Sequence, residues 1–218
     1  MNILAHRGQW GHNIAQNSSQ SFSLAFNNGY GVETDLRDHN GDIVISHDMP
    51  DGASLSFADF LTLYKGANSS GMLALNVKAD GLQKLAQKHL EEFDIGKDDY
   101  FFFDMSVPDA LGYQKLGLSY FARLSEYEPV LMLGDEAKGI WVDIFKGCWF
   151  DSAFIKKHLD AGYKLALVSP ELHKRGYIEA WEDWRNMLNG LNDEVDVKQV
   201  MLCTDFPNEA AEFFNGYN

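Results

Sequence analysis

The chain has 218 residues, enough for one large domain with a substantial core. Its hydrophobic content of 45 % and aromatic content of 13 % exclude a disordered polymer. A net charge of −14, from 18 basic and 32 acidic residues, argues against nucleic acid or an anionic bilayer as partner.

In chain order, Asn2–His6 reads as the first core strand. Its start has no basic segment and no long apolar run, so it is not read as a secretory leader. No apolar stretch approaches the roughly 20 residues of a membrane span. Further strands are expected at Gly31–Leu36, Met72–Val77, Tyr100–Asp104, Ser119–Arg123, Gly139–Ile144, Lys164–Val168 and Gln199–Thr204. Helices are expected at Ser18–Asn28, Ser56–Lys65, Gly81–Phe93, Val107–Leu116, Asp151–Ala161, Tyr177–Leu188 and Glu209–Phe214. The link Ser125–Lys138 carries the weakest helical pattern. Asn40-Gly41 is a turn signal, and Asp42–Ser46 suits a small hairpin strand.

Eight strand–helix units in one chain predict an α/β fold, a compact (β/α)8 TIM barrel, with a small excursion after the second strand. The chain is read as a single domain, residues 1–218. It is shorter than the roughly 250 residues typical of that fold, so its loops must be short. The rival is an open doubly wound sheet, disfavoured because eight units fill the chain so evenly; the chain also has no Gly-x-Gly-x-x-Gly and no P-loop. In a barrel the site lies where the strands end. His6, Arg7, Glu33, Asp35, Asn76, Lys78, Asp104, Arg123, Asp143, Ser169, Glu171 and Asp205 all fall at or just past expected strand ends.

Glu33 and Asp35 alternate on one strand, so they face one space about 6–7 Å apart. Two like charges there are costly unless a cation or a shared proton compensates. His6 and His47 suit proton transfer because histidine titrates near neutrality. Arg7 offers a planar donor fork for an anion. Together these groups suit cleavage of a phosphodiester. Asp104, Asp143, Glu171 and Asp205 are candidates for reading a head group by their strand-end position, with Glu171 first and Arg123 weaker. Asp48 is read equally as orienting His47 or capping a turn. Asn17 is read nearly equally as a helix N-cap.

His6-Arg7-Gly8, Glu33-Thr34-Asp35 and His47-Asp48 resemble the glycerophosphodiester phosphodiesterase family, within a superfamily of phosphatidylinositol phospholipase C-like phosphodiesterases. Leu75-Asn76-Val77-Lys78 and Thr204-Asp205-Phe206-Pro207 extend the likeness. The resemblance implies a metal-dependent phosphoric diester hydrolase using a divalent cation, Mg2+ or Ca2+. It implies His6 and His47 as catalytic residues, with Glu33, Asp35 and, as third ligand, Asn76 on the metal. It places Arg7, Asn17 and Lys78 on the substrate. In the family, Glu normally stands where this chain has Asn76 and Gln16. An amide oxygen still suits a hard cation.

The expected substrate is a small, polyol-bearing phosphodiester. The alternatives are a lyase releasing a cyclic phosphate and a catalytically silent ligand-binding protein of the same fold. A glycoside hydrolase would use paired carboxylates without the histidines. His12, His39, His89, His158 and His173 are assigned by default to surface or loop, and the tryptophans other than Trp10 to the core. Cys148 and Cys203 are read as buried free thiols, which suits the cytoplasm. The sequons at Asn17 and Asn68 carry weight only in a secreted protein. The sequence does not specify an oligomeric state.

Overall fold

A computed structural model describes residues 1–67, 71–191 and 194–215. Asn68 of the second sequon lies outside them. Ten strands and seven α-helices occur among the described residues. Two compact units emerge: Leu4–Tyr120, and Phe121–Asn218 with Met1–Ile3. None of the described helices is long and apolar enough to cross a membrane.

The first unit runs β1 (Asn2–His6), α1 (Ser19–Asn27), β2 (Gly31–His39), β3 (Asp42–Ile45), β4 (Leu55–Ser56), α2 (Phe57–Gly66), β5 (Leu73–Val77), α3 (Gln83–Glu92), β6 (Tyr100–Phe103) and α4 (Val107–Lys115). Parallel pairing joins β1 to β2, β2 to β5 and β5 to β6. β2 runs three residues past its expected end because the hairpin folds back on it. Asn40 and Gly41 both take positive φ, 51° and 83°, as a tight hairpin turn requires. This pairs Arg37 with Val44 and His39 with Asp42 in antiparallel register. β4, only two residues long, adds the outer strand of this excursion and has no alternation to betray it.

Helix starts follow their caps. Ser18, Ser56 and Ser106 cap α1, α2 and α4, each accepting from the backbone three residues on. α3 begins at Gln83 rather than Gly81. Gly81 sits at φ 91° and donates its N–H to Asp109 Oδ1. α1 and α2 meet through Phe22, Phe26 and Phe60, all buried, with Phe22 and Phe60 edge to face at 4.8 Å. Each such ring adds about 1.5–3 kcal/mol of burial.

The second unit runs β7 (Phe121–Leu124), β8 (Gly139–Val142), α5 (Ser152–Asp160), β9 (Lys164–Val168), α6 (Ile178–Leu191), β10 (Val200–Thr204) and α7 (Pro207–Asn215). β7, β8, β9 and β10 pair in sequence, all parallel. Between β7 and β8 the weak helical pattern yields a single 3-10 turn, Gly134–Glu136. Leu133 before it is left-handed at φ 55°, which breaks any helix. Seven of the eight strands outside the excursion are thus followed by an α-helix.

Two histidines assigned by default to surface or loop lie inside instead. His89 is buried on α3 among Ala86 and Leu90, and its Nε2 lies 2.9 Å from Asp42 Oδ1. His158 is buried on α5 and meets the Phe154 carbonyl at 2.8 Å. His173 sits in the loop after β9, half-buried and 2.6 Å from Asp143 Oδ1. Cys203 is buried, but Cys148 is exposed in the loop after β8, where its Sγ accepts from Trp184 Nε1. Both cysteines are thiols outside any disulfide. Trp181 and Trp184 are fully buried in α6.

The His89 bond holds the Asp42 carboxyl below its ordinary range, aided by the Ile43 N–H. A depressed carboxylate stabilises the fold above its unfolded pKa, near 3.8, and that contribution is lost as pH falls through the folded value. Asp42→Asn is therefore expected to lower the melting temperature at pH 5. In melts at stepped pH, the gap to wild type should close toward pH 2–3.

Candidate active site

β1 and β2 are in register, with His6 beside Glu33. β2 and β5 place Asp35 beside Asn76. Register neighbours in a parallel sheet share a face, and so do alternate residues, so His6, Glu33, Asp35 and Asn76 face one way. Glu33 and Asp35 are almost fully buried, at 2 % and 1 % exposure.

The turn after β1 is built around glycine. Gly8 sits at φ 83°, and a Cβ there would meet Ser21 Oγ at 2.6 Å and the Ser21 backbone at 2.8 Å. The absent side chain lets the N-terminal turn of α1 close over the strand end. Arg7 is left-handed at φ 57°, unusual for a long side chain. Its N–H donates to the Glu33 carbonyl at 2.8 Å, and its own carbonyl accepts from the Asn17 N–H at 3.0 Å. Gly8→Ala combines a positive-φ penalty with a backbone clash. It is expected to destabilise by several kcal/mol, about 2 or more, read as a lower urea midpoint with an unchanged slope.

Asp35 is the hub. Arg7 Nε lies 3.2 Å from Oδ2, Lys78 Nζ lies 3.5 Å from Oδ1, and Asn17 Nδ2 donates to Oδ2 at 2.9 Å. Asn17 is not the helix cap; Ser18 is. Asn17 is itself held by Thr34, whose hydroxyl donates to Asn17 Oδ1 at 2.9 Å. Thr34 faces away from its two acidic neighbours, and alternation alone gives no reason to single it out. Gln16 accepts from Arg7 at 3.1 Å.

Glu33 differs sharply from Asp35. Its ionisable partner is His6, with Nε2 3.8 Å from Oε2. Burial, then the Asp35 charge, push its carboxyl up to about 7, against the pull of His6, Lys78 and Arg7. Trp10 donates from Nε1 to the His6 carbonyl at 3.0 Å, fixing the strand end rather than reaching outward.

Three buried oxygens on this face receive no hydrogen bond: Glu33 Oε2, Asp35 Oδ1 and Asn76 Oδ1. The first faces His6 Nε2 at 3.8 Å and the second Lys78 Nζ at 3.5 Å, and buried acceptors of this kind are costly unless positive charge meets them. Among the described residues, no group of three or more His, Cys, Asp or Glu side chains is arranged around a cation position. The donor set here is instead two carboxylates and one amide, all oxygen, which fits a hard divalent cation.

His47 comes from the loop after β3. Its Nδ1 lies 2.9 Å from Asp48 Oδ1, so Asp48 is placed to orient the ring. Arg37 donates to the His47 carbonyl at 3.1 Å. His47 and Asp48 line an open cleft of about 510 Å³ together with Arg7, Asn17, Ser18 and Ser54. Arg7 thus belongs both to the carboxylate cluster and to the wall that carries His47.

In the second unit the strand-end acids are engaged locally. Glu171 accepts from the hydroxyls of Ser169 and Thr204 and from the Asp205 N–H at 3.1 Å. Asp143 accepts from His173 and the Ile144 N–H, and Arg123 pairs with Glu128 at 2.6 Å.

Neither a protein-family model nor a curated protein sequence matches the chain. Solved structures do match its fold. A protein from Galdieria sulphuraria assigned to the glycerophosphodiester phosphodiesterases aligns with a TM-score of 0.73 at 16 % identity, covering 98 % of this chain and 97 % of its own. The glycerophosphodiester phosphodiesterase of Agrobacterium tumefaciens aligns at 0.69 and 16 % identity, over 99 % and 100 %. The fold is that of the glycerophosphodiester phosphodiesterases. It is an α/β TIM barrel, here with the β3–β4 excursion after the second strand. A phosphodiesterase of Oleispira antarctica, solved with its product sn-glycerol-3-phosphate, aligns at 0.65 and 16 % identity, over 99 % and 97 %. Glycerophosphodiester phosphodiesterases thus share this fold across nearly the full length of the chain.

Proposed function

We propose that this chain is a metal-dependent phosphodiesterase, a single domain that hydrolyses a small, polyol-bearing phosphodiester of the glycerophosphodiester type. The observation that carries the reading is one face holding His6, Glu33, Asp35 and Asn76, with Arg7 joining it to the cleft that His47 lines. The product-bound Oleispira structure supports a small-molecule substrate. The acidic surface, at −14 overall, disfavours nucleic acid and anionic membranes. Two cysteines held as thiols favour the cytoplasm.

Glu33, Asp35 and Asn76 would hold the cation, Mg2+ or Ca2+, through the three oxygens that lack donors. When bound, it would neutralise charge on the phosphate. Arg7 and Lys78 add two cations of their own, already drawn to this point by Asp35. Asn17 keeps Asp35 in place. His6 and His47 act as the acid–base pair. Asp48 occupies His47 Nδ1, leaving Nε2 for proton transfer.

The test is hydrolysis of bis(p-nitrophenyl) phosphate and a glycerophosphodiester panel with Mg2+, Ca2+, Mn2+ or chelator. Turnover that needs the cation supports the reading. Turnover unchanged by exhaustive chelation removes the metal from it. Asn76 and Gln16, standing where the family carries carboxylates, favour one second reading, a ligand-binding protein that does not turn over. Binding of sn-glycerol-3-phosphate without hydrolysis of any diester would establish that alternative.

A further inference from the structure

Asp104 closes β6 at its C-terminal end, one residue past Phe103, the register neighbour of Asn76. It holds a left-handed backbone, φ 68°, a conformation Asp tolerates better than most residues. Its Oδ2 accepts from Asn76 Nδ2 at 3.1 Å. Asn76 is 7 % exposed, and its Oδ1 receives no hydrogen bond.

An amide presents two faces, one donating and one accepting. A carboxylate beside it accepts only, so Asp104 must face the NH2 group. That turns the carbonyl oxygen the other way. With Asp35 as register neighbour and Glu33 two residues before it, a free Asn76 would gain by turning its NH2 toward those carboxylates. The observed orientation forgoes that bond and leaves Asn76 Oδ1 without a donor beside two buried carboxylates. A buried carbonyl oxygen so placed suits a receiver of positive charge.

We infer that Asp104 is a positioning residue that fixes the Asn76 amide so that its oxygen completes the cation site. This rests on the cation-binding reading of Glu33, Asp35 and Asn76 given above. The substitution of an amide for the family's carboxylate at 76 thereby creates a need that a glutamate would not have, because a carboxylate has no donor face to turn inward. The orienting partner comes from the next strand. Outer partners of metal ligands commonly account for 10–100-fold in affinity.

The experiment is calorimetric titration of the purified protein with Mg2+ alone and Ca2+ alone. The variants are Asp104→Gly, which suits the left-handed backbone, Asp104→Asn, Asn76→Ala and the double variant Asn76→Ala with Asp104→Gly. Melting in chelator checks each fold. Asp104→Gly should weaken cation binding at least about 10-fold, and Asp104→Asn, which keeps an acceptor for Asn76, should recover most of it. The double variant should bind no more weakly than Asn76→Ala alone, because the effect of Asp104 on the cation runs through that amide. Wild-type affinity in Asp104→Gly, equal losses in the Asn and Gly variants, or additive losses in the double variant would each overturn the inference and leave the cation site standing. Absence of any cation binding by wild type would overturn the cation site itself.

Discussion

His6→Ala and His47→Ala are each expected to lower phosphodiester turnover by about 10²–10⁴-fold while leaving the melting curve close to wild type. A phosphodiester needs one proton removed from the attacking oxygen and one delivered to the leaving alkoxide. The two rings are built differently for this. His6 is largely covered, ends β1 and sits 3.8 Å from Glu33. His47 is half exposed on a loop and is oriented by Asp48 at 2.9 Å. Neither ring fills the core, so its removal opens no cavity of consequence. Steady-state kinetics on bis(p-nitrophenyl) phosphate, with circular dichroism of each variant, checks this. A folded variant with near wild-type turnover removes that histidine from the chemistry. Asp48→Asn should cost less than His47→Ala, since it removes only the orienting charge.

Glu33→Gln is expected to abolish most activity and, in chelator, to raise stability at pH 8. The carboxyl is fully buried and pushed up to about 7, against 4.5 ordinarily. Between those values the folded protein holds a proton that the unfolded chain has released. Stability therefore falls as pH rises through that window, and above it the fold carries a buried charge next to Asp35. Glutamine keeps the shape and removes the charge. The melting temperature of the variant should match wild type near pH 4 and exceed it increasingly up to pH 8. A variant less stable than wild type at pH 8 would show that the Glu33 charge is compensated even without a cation. Without a cation, the Glu33 charge thus costs stability rather than adding to it. Asp35 contrasts with it, because Arg7 and Lys78 already offset its charge.

Much of this was legible in the sequence because it is local. Alternation put Glu33 and Asp35 on one face, and the glycine in His6-Arg7-Gly8 marked a sharp turn at a strand end. Helix starts followed from serines that turned out to be caps. What escaped depends on register or on distant packing. No periodicity reveals that β5 and β6 bring Asn76 to Asp104, or that a histidine on α3 finds Asp42 on β3. His89 shows the difficulty: it lies on the apolar stripe of its helix, yet its type argues for the surface until its partner is known. The short β4 and the helix missing between β7 and β8 escaped for another reason. The first is too short to alternate, and the second is interrupted by a left-handed leucine that no propensity predicts. Asn17 had the composition of a cap, but the adjacent Ser18 took that place and freed its amide for Asp35.

Phosphorus NMR of a glycerophosphodiester incubated with the protein and a divalent cation reads hydrolysis at the phosphorus itself. Loss of the diester resonance and growth of a glycerol phosphate monoester are expected, absent in chelator and absent with His6→Ala. An accumulating cyclic phosphate would make the protein a lyase using the same residues. A diester resonance unchanged across the panel with every cation would contradict a hydrolytic role for the site.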